Sequence, residues 1–272
     1  MKTAFVTVLG YAGPKALKHV ETLARSARKF GIWLHYSAYK EPWKGFVHHK
    51  IEQMKTFLPT LERHGYSHVM VLDCRDTLFT ASEPEIVRRY CEIMSSDDAI
   101  LFNADIFGHM WPLWDDRLRE KIISIHGPNG LANAGLAVGR IDRYIKLCDK
   151  VLEIRDQFKK GGFGNEIMRH IYTRLENEPN FQRRLNRFLN DDQFLIQIAS
   201  TEYPELIKVD SEKRLLAAFR GKCREISQRG HENPHRGNTI CDALVLHYPG
   251  IWDGQLRDNA LRNGFLDTPE IE

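Results

Sequence analysis

The chain has 272 residues, of which 42% are hydrophobic and 28% charged, with a formal net charge of +3. A chain of this length buries a core without covalent staples, and the composition is that of an ordinary globular protein. So small a net charge does not by itself imply a polyanionic partner, and no apolar run approaches the ~20 residues of a membrane-spanning helix.

The first residues, "MKTAFVTVLGYAG", carry one lysine and a short apolar run. A secretory signal needs a longer apolar stretch and a small-residue cleavage site, so "TAFVTVL" (3–9) reads as the first strand. Leu17, Val20, Leu23, Ala24, Ala27 and Phe30 then share one helical face, and Gly31 follows as a stop. "IWLHYSA" (32–38) is the second strand. Ile51, Met54, Leu58 and Leu61 form another helical stripe, with Pro59 as a potential kink. "HVMVLD" (68–73) is a third strand. Ser82 and Glu85 are spaced as a capping box opening a helix to about residue 94.

"AILFNA" (99–104), "GLAVG" (135–139) and "ALVLHY" (243–248) complete the expected strands. The stretches 105–132 and 221–240 read as long irregular segments, which in a compact domain are usually functional. Alternating strands and helices predict an α/β fold with a mixed, mostly parallel sheet flanked by helices, in one domain over residues 1–272. Five scattered cysteines (Cys74, Cys91, Cys148, Cys223, Cys241) include no C-x-x-C pair. They point to reduced thiols in a cytoplasmic compartment.

The third strand ends in "DCRD", so Asp73 and Asp76 stand three positions apart at the carboxyl end of a central strand, where open α/β sheets bind their ligands. Paired carboxylates repel unless a cation lies between them, and Mg²⁺ or Mn²⁺ is bound by such acids together with substrate phosphates. Solvated charges in a turn are the structural alternative. A haloacid dehalogenase-like phosphatase is a second reading, since "DCRDTLF" follows an apolar strand and "NDD" (190–192) imitates later metal-binding acids. The three-residue separation does not match that family's two-residue spacing, and "RRLNRFLN" does not read as the buried strand its later acids follow.

The ordered series "FVTVLG" (5–10), "VLDCRD" (71–76), "LFNADIF" (101–107), "MWPLW" (110–114), "ANAGLAVG" (132–139), "DDQF" (191–194) and "LHYPG" (246–250) resembles the GT-A glycosyltransferases. It is most similar to the glycosyltransferase domain of procollagen lysyl hydroxylases. The resemblance implies a Rossmann-like GT-A domain, with a nucleotide-sugar half over about 1–105 and an acceptor half over about 106–272. It implies a Mn²⁺ (or Mg²⁺) ion held by Asp73, Asp76 and His247, and a nucleotide-sugar donor, such as a UDP-sugar, along Thr7, Val8 and Leu9 of the opening strand. Lys50 matches a family lysine beside the donor, although a solvent-facing helix residue is as good a reading. Asp105 stands where the family has a glutamate near the sugar. Asn133 and Gly135 match a turn that holds a sugar hydroxyl, or are a turn needing glycine.

Asp191 and Asp192 would lie beside the transferred sugar as catalytic acids, with Asp191 the more sensitive; capping of the helix they open explains them equally. Arg75 occupies a position where the family often has an aromatic residue; a guanidinium also stacks on a flat ring or binds phosphate. Tyr248-Pro249-Gly250 replaces the family's Gly-Asn-Gly. For the acceptor, the segment Lys208–Asn238 carries a net +4, and Trp111, Trp114 and Trp252 offer aromatic surfaces. A peptide, a glycan or a nucleic acid each fits, as does a solvated loop. A non-catalytic nucleic-acid-binding protein is a third reading, but it leaves the acids and the late histidine without a role.

Overall fold

A computed structural model of the chain describes residues 1–10, 14–39, 44–96, 98–105, 116–164, 166–218 and 243–248. In chain order these form β1 (Thr3–Gly10), α1 (Pro14–Lys29) and β2 (Leu34–Tyr39), then a π-helical turn (Val47–Glu52) that runs into α2 (Gln53–Arg63). Next come β3 (His68–Leu72), β4 (Thr77–Phe79), α3 (Glu83–Ile93), β5 (Ile100–Ala104), α4 (Asp116–His126) and β6 (Ala132–Arg140). Four helices follow, α5 (Ile141–Lys160), α6 (Glu166–Glu176), α7 (Phe181–Leu189) and α8 (Asp192–Glu202), before β7 (Ile207–Asp210), β8 (Leu216–Ala218) and β9 (Val245–His247).

The main sheet has the order β2-β1-β3-β6-β5-β7, and a second sheet the order β4-β9-β8. In the main sheet β1 pairs in parallel with β2 and β3, and β5 with β7, while β6 is antiparallel to both its neighbours. The predicted mixed, mostly parallel sheet flanked by helices is therefore present, with β6 as the one reversed strand.

Successive residues of a strand face opposite ways, and here both faces are covered. Val69 and Val71 join a cluster with Met54 and Leu58 of α2, Val151 of α5 and Leu195 of α8. Met70 and Leu72 join the opposite cluster, with Leu23 and Ala27 of α1 and Ile86 and Tyr90 of α3. Burial on both faces makes β3 apolar from Val69 to Leu72 and carries its end to the middle of the carboxyl edge.

Two expectations are corrected. Ser82 is the N-cap of α3 but its side chain makes no capping hydrogen bond, and Pro84 removes one of the N–H groups such a cap could serve. The stretch 105–132 contains α4, anchored by only Leu118 and Ile122, which is too short a stripe to stand out by periodicity. Pro59 lies inside α2, which continues through it. No helix among the described residues is long and apolar enough to cross a membrane.

Candidate metal and sugar-nucleotide site

Asp73 directly follows β3 and Asp76 directly precedes β4, so the D-x-x-D stretch is the tight link between the two sheets. Asp73 N–H donates to Gly135 O (2.9 Å), the Thr77 hydroxyl donates to Asp73 O, and Tyr248 N–H donates to Asp76 O (2.7 Å). β4 pairs antiparallel with β9, with Thr77 opposite His247. That register brings a histidine from the far end of the chain next to Asp76.

His247 Nε2 stands 3.4 Å from Asp76 Oδ1 and 3.6 Å from Asp73 Oδ2. One ligand atom from each of the three residues lies within 4.8 Å of the others. Donors sharing one small divalent ion at ~2.1 Å stand roughly 3–4 Å apart, so the set fits such an ion. The His247 side chain is 3% exposed and its Nδ1 has no hydrogen-bond partner. Burial works to lower its pKa, but Asp76 and then Asp73 outweigh that and hold it above the ordinary value.

Lys50 is the cation already in place. Its Nζ donates to Asp73 Oδ1 (2.7 Å) and to Ala134 O (2.5 Å), and lies 3.2 Å from Asp192 Oδ2. Burial opposes its charge, and Asp73 and then Asp192 more than restore it, leaving the pKa raised. Burial likewise pushes the Asp73 pKa up, against the pull of Lys50 and His247; a bound divalent ion would hold His247 neutral and both aspartates ionised.

A bulge in β6 shapes this pocket. The pairing with β5 jumps from Phe102↔Ala137 to Asn103↔Asn133, so Ala134, Gly135 and Leu136 face no β5 residue. Their polar groups find other partners. Ala134 N–H donates to Gln193 Oε1 (2.9 Å), Gly135 N–H to Asn133 Oδ1 (2.9 Å) and Leu136 N–H to Asn103 Oδ1 (3.2 Å). A Cβ at Gly135 would lie 1.9 Å from His247 Cε1. Glycine is required there by the close approach of the imidazole, not by a turn conformation.

The two acids of "DDQF" part company. Asp191 caps α8, accepting Phe194 N–H at 3.1 Å; Asp192 is 5% exposed and turned towards Lys50. Gln193 ties the helix start to β6, and its Nε2 donates to Asp105 Oδ2 (3.2 Å) and Ala132 O (3.3 Å).

The remaining expected residues surround this core. Thr7 is buried and donates to Leu72 O (2.8 Å), opposite Leu72 in the sheet, so the partly buried Val8 and buried Leu9 continue β1 alongside the D-x-x-D link. Arg75 is exposed on that link. The structure thus gathers Asp73, Asp76, His247, Lys50, Asp192 and Gly135 at one point. Asp105 and Asn133 reach it through hydrogen bonds within the chain, while Trp111, Trp114, Trp252, Pro249, Gly250 and the basic stretch 219–238 lie outside the described residues. Gln193 and Asn103 were missed by sequence reasoning. Asn103 had a signal, as a polar residue inside the apolar run "ILFNA".

No family model and no curated protein matches the sequence. Among solved structures, the chain is similar to a glycosyltransferase involved in the glycosylation of the major capsid of PBCV-1. The identity is 11% and the TM-score 0.48, over 94% of this chain and 98% of that one.

Proposed function

We propose that the protein is a divalent-metal-dependent glycosyltransferase of the GT-A type, taking its sugar from a nucleotide-diphosphate donor such as a UDP-sugar. The observation that carries this reading is the convergence of Asp73, Asp76 and His247 at the carboxyl edge of the sheet, with Asp192 reached through Lys50. The ordered resemblance of the sequence motifs, which include these same residues, to the glycosyltransferase domain of procollagen lysyl hydroxylases agrees with it. Asp73, Asp76 and His247 would hold Mn²⁺ or Mg²⁺, which supplies Lewis-acid neutralisation of the leaving diphosphate.

The chain's own residues do the rest. The end of β1 would support the nucleotide, and Arg75 is exposed where it can stack on a base or bind a phosphate. Gln193 orders Asp105 at the sugar side. Asp192, with Asp191 beside it, would oppose the positive charge that grows at the anomeric carbon as the leaving group departs. The acceptor hydroxyl would come from a peptide, a glycan or a nucleic acid, in a protein working in the reducing cytoplasm. Asp73 bonded to Lys50 also resembles a phosphatase nucleophile, but that chemistry leaves His247 unused.

The test is titration with Mn²⁺ followed by UDP, monitored by calorimetry, for the unaltered chain and for Asp76→Ala and His247→Ala. UDP binding that needs Mn²⁺ and is lost in both variants is the expected result. Equally tight UDP binding in excess chelator would sink the metal assignment, and a fluoroberyllate adduct on Asp73 would favour the phosphatase.

A further inference from the structure

Lys50 sits in the one π-helical turn among the described residues, a wide turn often found at functional sites. Its neighbours fix the backbone behind it. Val47 and Ile51 are buried in the core, and the His49 ring stacks on Tyr39 with centroids 3.7 Å apart. The side chain is 8% exposed and crosses to the β6 bulge. An ammonium has three protons, and three protein oxygens are in reach of them: Asp73 Oδ1, Ala134 O and Asp192 Oδ2. A donor phosphate would have to displace one of these.

Asp192 is equally tied down. Its Oδ1 accepts Gln193 N–H at 3.0 Å, while its buried Oδ2 has no hydrogen bond and only the Lys50 charge, at 3.2 Å. The direction of that oxygen is therefore set by Lys50.

Resting on the glycosyl-transfer reading above, we propose that Lys50 is a positioning residue rather than a ligand of the donor. It spaces the carboxylate facing the sugar, Asp192, from the carboxylate holding the metal, Asp73, through one shared ammonium. The bulge supplies the third contact, because the Ala134 carbonyl is freed for Lys50 by the slip in register. Metal occupancy and the placement of the charge opposite the anomeric carbon are then coupled through a single side chain. The coupling predicts opposite effects on two quantities that a mere loss of fold would depress together. Without Lys50, no ammonium competes with the metal for Asp73 Oδ1, while Asp192 loses the partner that orients it.

The experiment compares the unaltered chain, Lys50→Met, Lys50→Arg, Asp192→Asn and the Lys50→Met/Asp192→Asn pair. Mn²⁺ alone is titrated by electron paramagnetic resonance, UDP affinity is measured at saturating Mn²⁺, and turnover is followed as hydrolysis of a panel of UDP-sugars. For Lys50→Met we expect Mn²⁺ affinity to rise about tenfold, as a cation leaves the side of a ligand carboxylate. UDP affinity should change less than about threefold, and turnover should fall about 10²-fold. Adding Lys50→Met to Asp192→Asn should cost little more turnover, the non-additivity of two residues acting as a unit.

A tenfold or greater loss of UDP affinity, with turnover losses that multiply, would make Lys50 a donor ligand and overturn the proposal. Should Lys50→Met fail to fold, the pair, which leaves Asp192 uncharged, and Lys50→Arg, which keeps a charge in the wrong shape, give the same comparison. No Mn²⁺ binding by the unaltered chain refutes the glycosyl-transfer reading itself. Normal Mn²⁺ binding that Lys50→Met leaves unmoved refutes only the role of Lys50.

Discussion

Asp191 shows two local forces pulling on one carboxyl group. As the N-cap of α8 it accepts Phe194 N–H, and a helix start favours the charged form. Burial and, next, the neighbouring Asp192 win, and its pKa is pushed up to about 6. The folded-state value lies above the unfolded one, so between about pH 4 and 6 the folded chain holds more protons than the unfolded chain. Stability from this group is therefore highest in acid, falls as pH rises through that window, and stays lower above it. Asparagine caps as well and does not titrate. Asp191→Asn should raise the melting temperature by several degrees at pH 7.5, for a gain on the order of 2 kcal/mol, and by much less at pH 4. Melting curves at the two pH values check this. A shift that is the same at both would mean the carboxylate is not strained by its surroundings.

At the scale of elements, the β6 bulge is the part with the most consequences. It frees the Ala134 carbonyl for Lys50, and its glycine makes room for the imidazole. Gly135→Ala should displace His247 and weaken Mn²⁺ binding at least tenfold, with a stability loss of roughly 1–3 kcal/mol typical of overpacking. Circular dichroism and Mn²⁺ titration of the variant are the measurements; an unchanged Mn²⁺ affinity would show that His247 can move aside and still bind.

The sequence made part of this legible. The buried strands β1, β3 and β5 were readable because the run of β1 ends at a glycine and those of β3 and β5 at an aspartate, and "DCRD" showed what β3 delivers. The three-residue strands β4 and β8 carry too few residues for any periodicity, and β7, "IKVD", alternates apolar and polar residues over only four positions. The bulge was invisible because it is a mismatch between two strands, and neither strand records it alone. For the same reason "GLAVG" was expected from residue 135, whereas β6 starts at Ala132. Of the site, the acids and His247 were found as residue types. The division of labour between Asp191 and Asp192, and the bridging by Gln193, depend on where α8 begins, which no spacing rule fixes to one residue.

At the scale of the molecule, the small sheet joins residues that are remote in the sequence: β4 comes early, and β8 and β9 come after the eight α-helices of the described residues. The order of events during folding follows from this. Contacts between distant segments close late because their loop entropy is spent before they are rewarded, so His247 should reach the two aspartates only after the main sheet has formed. An ion that binds this arrangement then stabilises the native state but not the transition state leading to it, and its effect falls on unfolding. Mn²⁺ at a hundred times its dissociation constant, worth about 2.7 kcal/mol, should slow unfolding roughly 10²-fold and leave refolding almost unchanged. Stopped-flow denaturant jumps with and without the ion would separate the two rates. Faster refolding in Mn²⁺ would instead place the docking of β9 early, and make the metal centre part of the folding nucleus.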